Sequence, residues 1–262
     1  MTKEERHNII LEQLYKHAPV MVSELAILLD VSSVTIRKDL TELENMGKLY
    51  RCHGKAIAIN PFMINRTVNE KEKLYPEEKH SIGIEAAKLI APNDFIIIGS
   101  GTTVQAFARV IKPISNLTVV SASLHSSLIL SQESNIEVVQ LGGTIRKSSQ
   151  SVVGNYSKEM LVDCTASKVF LGVDGIDLEY GFTTTDLREA HLNKKMIEAS
   201  QKTIIITDSS KLGKRGFAKI GNMEEIDTIV TDSHITNEDI LQLEDLGIKV
   251  IKAPCRPILC NN

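Results

Sequence analysis

Tryptophan is absent from the 262-residue sequence, which also has only four cysteines and seven prolines. No uninterrupted apolar stretch approaches the roughly 18 residues that a membrane helix needs, so we expect no membrane span. The cysteines match neither a disulfide framework nor a paired zinc spacing, which argues for reduced thiols. A net charge of −3 excludes a uniformly basic nucleic-acid coat. The N-terminal residues show no signal or transit pattern, so we expect a cytoplasmic protein.

The remaining composition is that of a folded globular protein, with 42% hydrophobic and 24% charged residues. At roughly 150 residues per domain, the length predicts a large core and one smaller module. Residues 60–75 are largely polar and show no sustained periodicity, which indicates a linker. We therefore expect a first domain at residues 1–59, a linker at 60–75 and a second domain at 76–262.

Apolar periodicity predicts three helices in the first domain. One is expected at about residues 3–17, and a short one at 22–29 carries apolar residues at i, i+3, i+4 and i+7. Ser32 suits the N-cap of a third helix. The inner face of that helix consists of three apolar residues: Ile36, Leu40 and Leu43.

The outer side and leading turn of the third helix carry short polar and basic side chains: Ser33, Thr35, Arg37, Lys38 and Thr41. Beyond the helix the apolar period changes to two, which predicts a β-hairpin with three further candidates: Arg51, His53 and Lys55. Basic side chains neutralise phosphates or reach guanine edges, while hydroxyls and helix amides bind phosphate oxygens. The order of elements favours DNA binding over the alternative, a solvated helix face beside an ordinary hairpin.

Seven apolar runs in the second domain predict strands: 95–98, 117–120, 136–141, 169–173, 203–206, 228–230 and 248–251. Helical stretches separate most of them, and several runs are apolar at consecutive positions. Strands covered on both faces have that pattern, which predicts a largely parallel α/β sheet.

Polar side chains gather where these runs end, as at residues 99–103 after the first run. The carboxyl ends of parallel strands share one edge, so we expect these loops to converge on a ligand crevice. A helix is predicted to begin near Val104, and its leading amides favour an oxyanion. Four residues can contribute amides or hydroxyls: Ser100, Gly101, Thr102 and Thr103. The alternative is a tight turn without a ligand.

Charged side chains at other strand ends complete this candidate site. Lys211 supplies a cation for the same anion. Three acids can accept hydrogen bonds from ligand hydroxyls: Asp174, Asp208 and Glu189. A phosphorylated sugar or polyol satisfies both parts of this chemistry. Taken singly, each acid is equally explained as a helix cap or a solvated side chain.

Four motifs of the first domain resemble the winged helix-turn-helix of the DeoR family of bacterial transcriptional repressors: Val31-Ser32-Ser33-Val34-Thr35-Ile36-Arg37-Lys38-Asp39-Leu40, Leu43-Glu44, Gly47 and Arg51-Cys52-His53-Gly54. The resemblance implies that the third helix enters the major groove and that the segment around His53 forms the wing. It implies DNA-facing roles for six residues: Ser33, Thr35, Arg37, Lys38, Arg51 and His53. Lys55 departs from the family pattern, in which a second glycine follows Gly54.

Motifs of the second domain resemble the DeoR-type sensor domain, whose fold is related to ribose-phosphate isomerases: Gly101-Thr102-Thr103, Leu141-Gly142-Gly143, Phe170-Leu171-Gly172, Asp174-Gly175-Ile176, Arg188-Glu189-Ala190 and Asp208-Ser209-Ser210-Lys211. The resemblance implies a sugar-phosphate effector held by the loop at 101–103 and by Asp208 and Lys211. Lys71 and Lys79 resemble family lysines linked to effector response. Gly99 departs from the pattern, where aspartate is common.

These observations predict a DNA-binding transcriptional regulator, a repressor of carbohydrate metabolism genes controlled by a phosphorylated sugar. We expect a homo-oligomer, dimer or tetramer, on double-stranded operator DNA, with no metal, cofactor, membrane partner or enzymatic activity. One alternative is a phosphosugar isomerase-like enzyme that uses Asp174, Asp177 and Glu189 for proton transfer. Another is a metabolite-binding scaffold without a DNA role.

Overall fold

The computed structural model describes residues 2–17, 20–46, 49–52, 55–58, 67–112 and 115–254. The chain forms two compact units, Met1–Ile64 and Asn65–Asn262. Each unit has its own hydrophobic core. Within the described ranges, no helix is long and apolar enough to cross a membrane.

The first unit contains three helices and three short strands: α1 (Lys3–His17), β1 (Val20–Met21), α2 (Val22–Leu29), α3 (Ser33–Asn45), β2 (Leu49–Cys52) and β3 (Lys55–Ala58). The strands form an antiparallel sheet in the order β1-β3-β2. The predicted three helices and hairpin are confirmed, and this arrangement is that of a winged helix-turn-helix.

Local sequence explains the turn between α2 and α3. Asp30 adopts a left-handed conformation with φ of 50°, and its N–H caps α2 through the carbonyls of Ala26 and Ile27. Ser32 begins α3, because its Oγ accepts a hydrogen bond of 3.1 Å from the N–H of Thr35. The core beneath the turn comprises ten apolar residues: Ile10, Leu14, Val20, Val22, Leu25, Leu29, Ile36, Leu40, Leu43 and Leu49.

The second unit alternates helices and strands: α4 (Val68–Glu72), α5 (Pro76–Ala87), β4 (Phe95–Ile98), α6 (Thr102–Val110), β5 (Leu117–Ser121), α7 (Leu124–Leu130), β6 (Ile136–Gln140), β7 (Thr144–Arg146), β8 (Ser151–Val153), α8 (Asn155–Glu159), β9 (Lys168–Leu171), β10 (Gly175–Asp177), β11 (Gly181–Thr184), α9 (Leu187–Glu198), β12 (Thr203–Ile206), β13 (Ala218–Gly221), β14 (Thr228–Thr231), α10 (Asn237–Asp245) and β15 (Lys249–Lys252).

The seven predicted strands form one parallel sheet in the order β15-β14-β12-β9-β4-β5-β6. Alternate residues of β4 enter different cores: Ile97 packs in one cluster, while Ile96 and Ile98 pack in the other. Both faces of the sheet are therefore covered, which explains the consecutive apolar positions. The predicted largely parallel α/β sheet is confirmed.

Several elements differ from the sequence prediction. Two small antiparallel sheets, β10-β11-β13 and β7-β8, were not predicted. Residues 67–75, assigned to the linker, lie in the second unit and include α4. A capping box begins α4, since Thr67 Oγ1 accepts from the N–H of Glu70 and Glu70 Oε2 accepts from the N–H of Thr67.

Candidate functional site

Three neighbouring strands of the large sheet direct their carboxyl ends at one cavity. The loop at 99–103 follows β4, Asp174 follows β9, and Asp208 follows β12, three strands that are adjacent in the order β12-β9-β4. All ten residues proposed from the sequence as effector ligands line this cavity of about 70 Å³: Lys71, Lys79, Ser100, Gly101, Thr102, Thr103, Asp174, Glu189, Asp208 and Lys211. The sequence prediction missed nine further lining residues: Val68, Leu74, Tyr75, Arg146, Ser148, Ser149, Gly172, Val173 and Thr184.

The N-terminus of α6 faces the cavity through residues 101–103. The helix begins at Thr102, two residues before the predicted start, because Gly101 turns the chain with φ of 112° and occupies the N-cap. Within the part of the chain that the structure describes, no side chain caps this end, so its leading amides have no side-chain acceptor. The partial positive charge of such a helix end attracts an anion.

Glu189, in the first turn of α9, is buried at 9% exposure. Ser100 Oγ donates a hydrogen bond of 2.9 Å to Oε1, and Arg146 Nη1 donates one of 2.6 Å to Oε2. Burial raises the pKa of Glu189 above its ordinary value. The positive charge of Arg146 opposes this rise, whereas the negative charge of Asp174 adds to it. Glu189 is neither a helix cap nor a solvated acid, because it lies in a buried ion pair.

Asp174 is paired with a lysine from α4. Lys71 Nζ donates to Oδ1 at 2.7 Å, and Thr184 Oγ1 donates to Oδ2 at 3.1 Å. Burial alone favours the neutral acid, but the charge and hydrogen bond of Lys71 outweigh it and lower the pKa of Asp174. Two carboxylates with opposite pKa shifts therefore line the same cavity.

Lys79, in α5, is buried at 6% exposure. Its Nζ donates two hydrogen bonds of 2.5 Å, to the backbone carbonyls of Lys71 and Leu74. Burial lowers the pKa of Lys79 to about 8, although the charge of Asp208 opposes the shift. Lys79 thus holds the segment that carries Lys71 against the cavity.

Asp208 and Lys211 bracket a short 3₁₀ turn after β12. Asp208 is buried at 4% exposure and accepts a hydrogen bond from Ser210 Oγ. Asp232, after β14, fixes the turn by accepting from the N–H of Ser209 at 2.7 Å and from its Oγ at 2.9 Å. The turn brings Lys211 to the cavity wall.

One acid of the isomerase alternative lies elsewhere. Asp177 is not among the residues that line the cavity. It accepts hydrogen bonds from Arg215 Nε at 2.6 Å and from the N–H of Tyr180 at 2.8 Å. Its assignment to proton transfer in this cavity is therefore wrong, because the β10–β11 turn and Arg215 hold its carboxylate.

The predicted DNA-facing residues of α3 differ in exposure. Ser33, Arg37 and Lys38 are exposed. Thr35 is half-buried, and its Oγ1 lies 2.9 Å from Ser32 Oγ within the helix cap. Arg51 lies on β2 and Lys55 on β3, whereas His53 lies outside the described residues.

An ion pair between α1 and α3 was not anticipated. Asp39, on the inner face of α3, is only 3% exposed. Arg6 donates to both of its oxygens, from Nε at 2.5 Å and from Nη2 at 2.9 Å. Burial opposes ionisation, but Arg6 outweighs it and lowers the pKa of Asp39.

Both units match known sequence families. A DeoR-like helix-turn-helix domain matches residues 6–62, and a DeoR C terminal sensor domain matches residues 75–233. The chain belongs to the DeoR family of transcriptional regulators.

Curated relatives of this DeoR-family regulator match along almost their whole length. The uncharacterized HTH-type transcriptional regulator YulB of Bacillus subtilis (strain 168) is 34% identical over 95% of this chain and 96% of its own. A putative aga operon transcriptional repressor of Escherichia coli O157:H7 is 33% identical over 94% of this chain and 93% of its own. The lactose phosphotransferase system repressor of Streptococcus mutans serotype c is 34% identical over 92% of this chain and 96% of its own.

Among solved structures, ribose 5 phosphate isomerase A from Neisseria gonorrhoeae has a TM-score of 0.38 and 22% identity, over 52% of this chain and 53% of that chain.

Proposed function

We propose that this DeoR-family regulator represses carbohydrate metabolism genes and that a phosphorylated sugar in the second-unit cavity controls its operator binding. The observation that carries the effector part is the charge of the cavity. Four basic side chains, Lys71, Lys79, Arg146 and Lys211, line it together with three acids. When all seven are ionised, the four cations outnumber the three acids, so the net charge of the cavity lining is positive. A phosphate dianion suits this balance.

The size of the cavity supports the same ligand class. The volume of about 70 Å³ is several times the roughly 10–15 Å³ that a single water needs. The cavity therefore has room for a polar group larger than a water, such as a phosphoryl group. The buried acids and hydroxyls around it can orient the sugar hydroxyls. The Streptococcus mutans relative is named a lactose phosphotransferase system repressor, which supports a sugar-related role.

A thermal-shift screen against sugar phosphates and their unphosphorylated sugars tests the effector. A ligand at a hundredfold excess over its Kd stabilises the native state by about 2.7 kcal/mol, enough for a clear rise in Tm. We expect phosphorylated sugars to raise Tm and the parent sugars to leave it unchanged. Equal shifts from a sugar and its phosphate would contradict the anion site.

The isomerase alternative retains Asp174 and Glu189 in the cavity, and the raised pKa of Glu189 is a property of proton-transfer groups. We propose that the protein is not an enzyme and that the cavity binds without turnover. Incubation with each stabilising sugar phosphate, followed by product analysis, separates the two functions. Interconversion of aldose and ketose phosphates would overturn the regulator-only interpretation.

We propose that Ser33, Thr35, Arg37, Lys38, Arg51, His53 and Lys55 form the DNA-binding surface. The exposure of Arg37 and Lys38 beside the α3 N-terminus supports this role. One helix reads few base pairs, so we propose a cytoplasmic dimer or tetramer on paired half-sites. Light scattering tests the assembly, and selection of duplexes from a random library tests sequence preference. Recovery of no shared sequence would refute operator binding.

A further inference from the structure

The inner face of α3 contains one charged residue within an apolar stripe. Ile36, Asp39, Leu40 and Leu43 are buried at the i, i+3, i+4 and i+7 positions of this face. A buried carboxylate is unfavourable unless a cation and hydrogen bonds compensate it. A fourth apolar residue would bury this face without that requirement, so Asp39 needs an explanation other than core packing.

The compensation comes from the matching stripe of α1. Arg6, Ile10 and Leu14 repeat every four residues, and Ile10 and Leu14 belong to the same core as α3. The guanidinium of Arg6 makes a two-point contact with Asp39 through Nε and Nη2. His7 Nε2 lies 3.3 Å from the same carboxylate. Arg6 and Asp39 have side-chain exposures of 13% and 4%, so the pair is largely removed from solvent.

A two-point contact restrains helix position in a way that aliphatic packing does not. Aliphatic burial is non-directional, so it fixes the relative rotation of two helices less sharply than hydrogen bonds do. The planar guanidinium of Arg6 can donate to both carboxylate oxygens at once only over a narrow range of relative orientations. Asp39 directly follows Arg37 and Lys38 in the chain. Any rotation of α3 that strains the two hydrogen bonds between Arg6 and Asp39 therefore also displaces the side chains of Arg37 and Lys38.

We propose that the Arg6–Asp39 pair is a positioning device that fixes the rotation and axial position of α3 on α1, and thereby the placement of Arg37 and Lys38 on DNA. The inference rests on the proposed DNA-binding role of α3. Arg6 and Asp39 act through α3 and touch no base themselves. Their contribution is to the accuracy of docking and so to the discrimination between operator and other DNA.

The test uses the full chain and a duplex selected by the wild-type protein from a random library, with a scrambled duplex as reference. The double variant Arg6→Met/Asp39→Leu removes both charges and keeps the buried volume, so we expect an unfolding temperature at or above wild type. We expect its affinity for the selected duplex to fall about ten- to a hundredfold, the effect of one misplaced base contact. Affinity for the scrambled duplex should change little.

A second variant keeps the charges in place. Arg6→Lys retains the ion pair but replaces the planar guanidinium with a single ammonium, so the protein should fold and still lose discrimination between the duplexes. Lys3→Met is the matched control, because Lys3 is an exposed α1 cation paired with Glu42 on α3. We expect it to bind like wild type.

The outcomes separate this inference from the proposed function. If the double variant and Arg6→Lys both fold and discriminate as well as wild type, the positioning role is refuted. If the double variant has a lower unfolding temperature and loses affinity for both duplexes equally, and Arg6→Lys matches wild type, the pair is merely structural. If Arg37→Ala leaves the wild-type affinity for the selected duplex intact, the proposed role of α3 itself fails.

Discussion

We predict that the buried ammonium of Lys79 weakens binding of the proposed effector as pH rises above 8. Burial lowers the pKa of Lys79 to about 8 in the protein without ligand. A phosphate in the same cavity stabilises the ammonium form and raises this pKa toward its ordinary value. Above pH 8 the free protein has lost a proton that the complex retains. Each binding event must then take up a proton, and affinity must fall as pH rises.

The magnitude follows from the two protonation states. At pH 9 a group with a pKa of about 8 is roughly one-tenth protonated. If the ligand returns the pKa of Lys79 to about 10.5, the bound form is almost fully protonated, and binding takes up about 0.9 proton. The Kd then rises about fivefold between pH 8 and pH 9 and about sevenfold between pH 9 and pH 10. At pH 7 both states hold the proton, and no uptake is expected.

Isothermal titration calorimetry measures this uptake directly. We would titrate the sugar phosphate with the largest thermal shift at pH 7 and pH 9, in buffers with different heats of ionisation. Lys79→Met should abolish the dependence on buffer. Lys88→Met, at the exposed C-terminal end of the same helix, is the control and should behave like wild type. The same Kd and buffer-independent heat at both pH values would refute the reasoning.

Lys79 also affects folding stability, with a definite sign. The unfolded chain holds this proton up to a pKa near 10.5, whereas the folded protein releases it near pH 8. The folded state is therefore penalised by about 3 kcal/mol below pH 8, and the penalty is relieved as pH rises toward 10.5. Urea denaturation of wild type and Lys79→Met should show a stability difference that changes in the wild type's favour between pH 7 and pH 10. A constant difference would contradict the shift.

Five further substitutions, at four positions, test the proposed DNA-binding surface and the proposed effector cavity. Arg37→Ala and Lys38→Ala should each weaken binding to a selected duplex and reduce the slope of log affinity against log salt concentration by about 1. Fluorescence anisotropy of the labelled duplex measures both effects, and unchanged slopes would exclude phosphate contacts. Gly101→Ala should cost about 1–3 kcal/mol in denaturant unfolding and weaken effector binding, because φ of 112° is strained for alanine even though the added methyl has no described atom within 4 Å. Wild-type stability of this variant would contradict the argument. Arg146→Met should lower the free energy of unfolding by about 3 kcal/mol, because it leaves Glu189 buried without its cation. Arg146→Lys should recover most of this loss, and equal stability of the two variants would refute the ion-pair argument.

Features encoded by local sequence were predictable. The strands of the parallel sheet are apolar at consecutive positions because both faces of the sheet are covered. A short run of apolar residues was therefore enough to predict each strand. Ser32 marks the start of α3 because a side-chain oxygen satisfies a free amide there. The strand-end loops could be assigned to one crevice because parallel strands end at the same edge. These predictions need no knowledge of strand order.

Features that depend on distant contacts were not predictable. Arg146 comes from the short β7–β8 hairpin and meets Glu189 across 43 positions of sequence. Arg6 and Asp39 are separated by 33 positions, and neither residue carries a local signal of its partner. The five-residue helix α4 is too short for apolar periodicity, but the Thr67 and Glu70 spacing of its capping box was a usable signal.

The separate cores of the two units have a consequence for how such regulators diversify. Among the described residues, the apolar cluster of the first unit lies between Ile9 and Leu49, and the two apolar clusters of the second unit include none of its members. Exchange of residues 1–64 between relatives therefore leaves each core complete. We expect such a hybrid to combine the DNA preference of one relative with the ligand preference of another, which a reporter gene under the matching operator would detect.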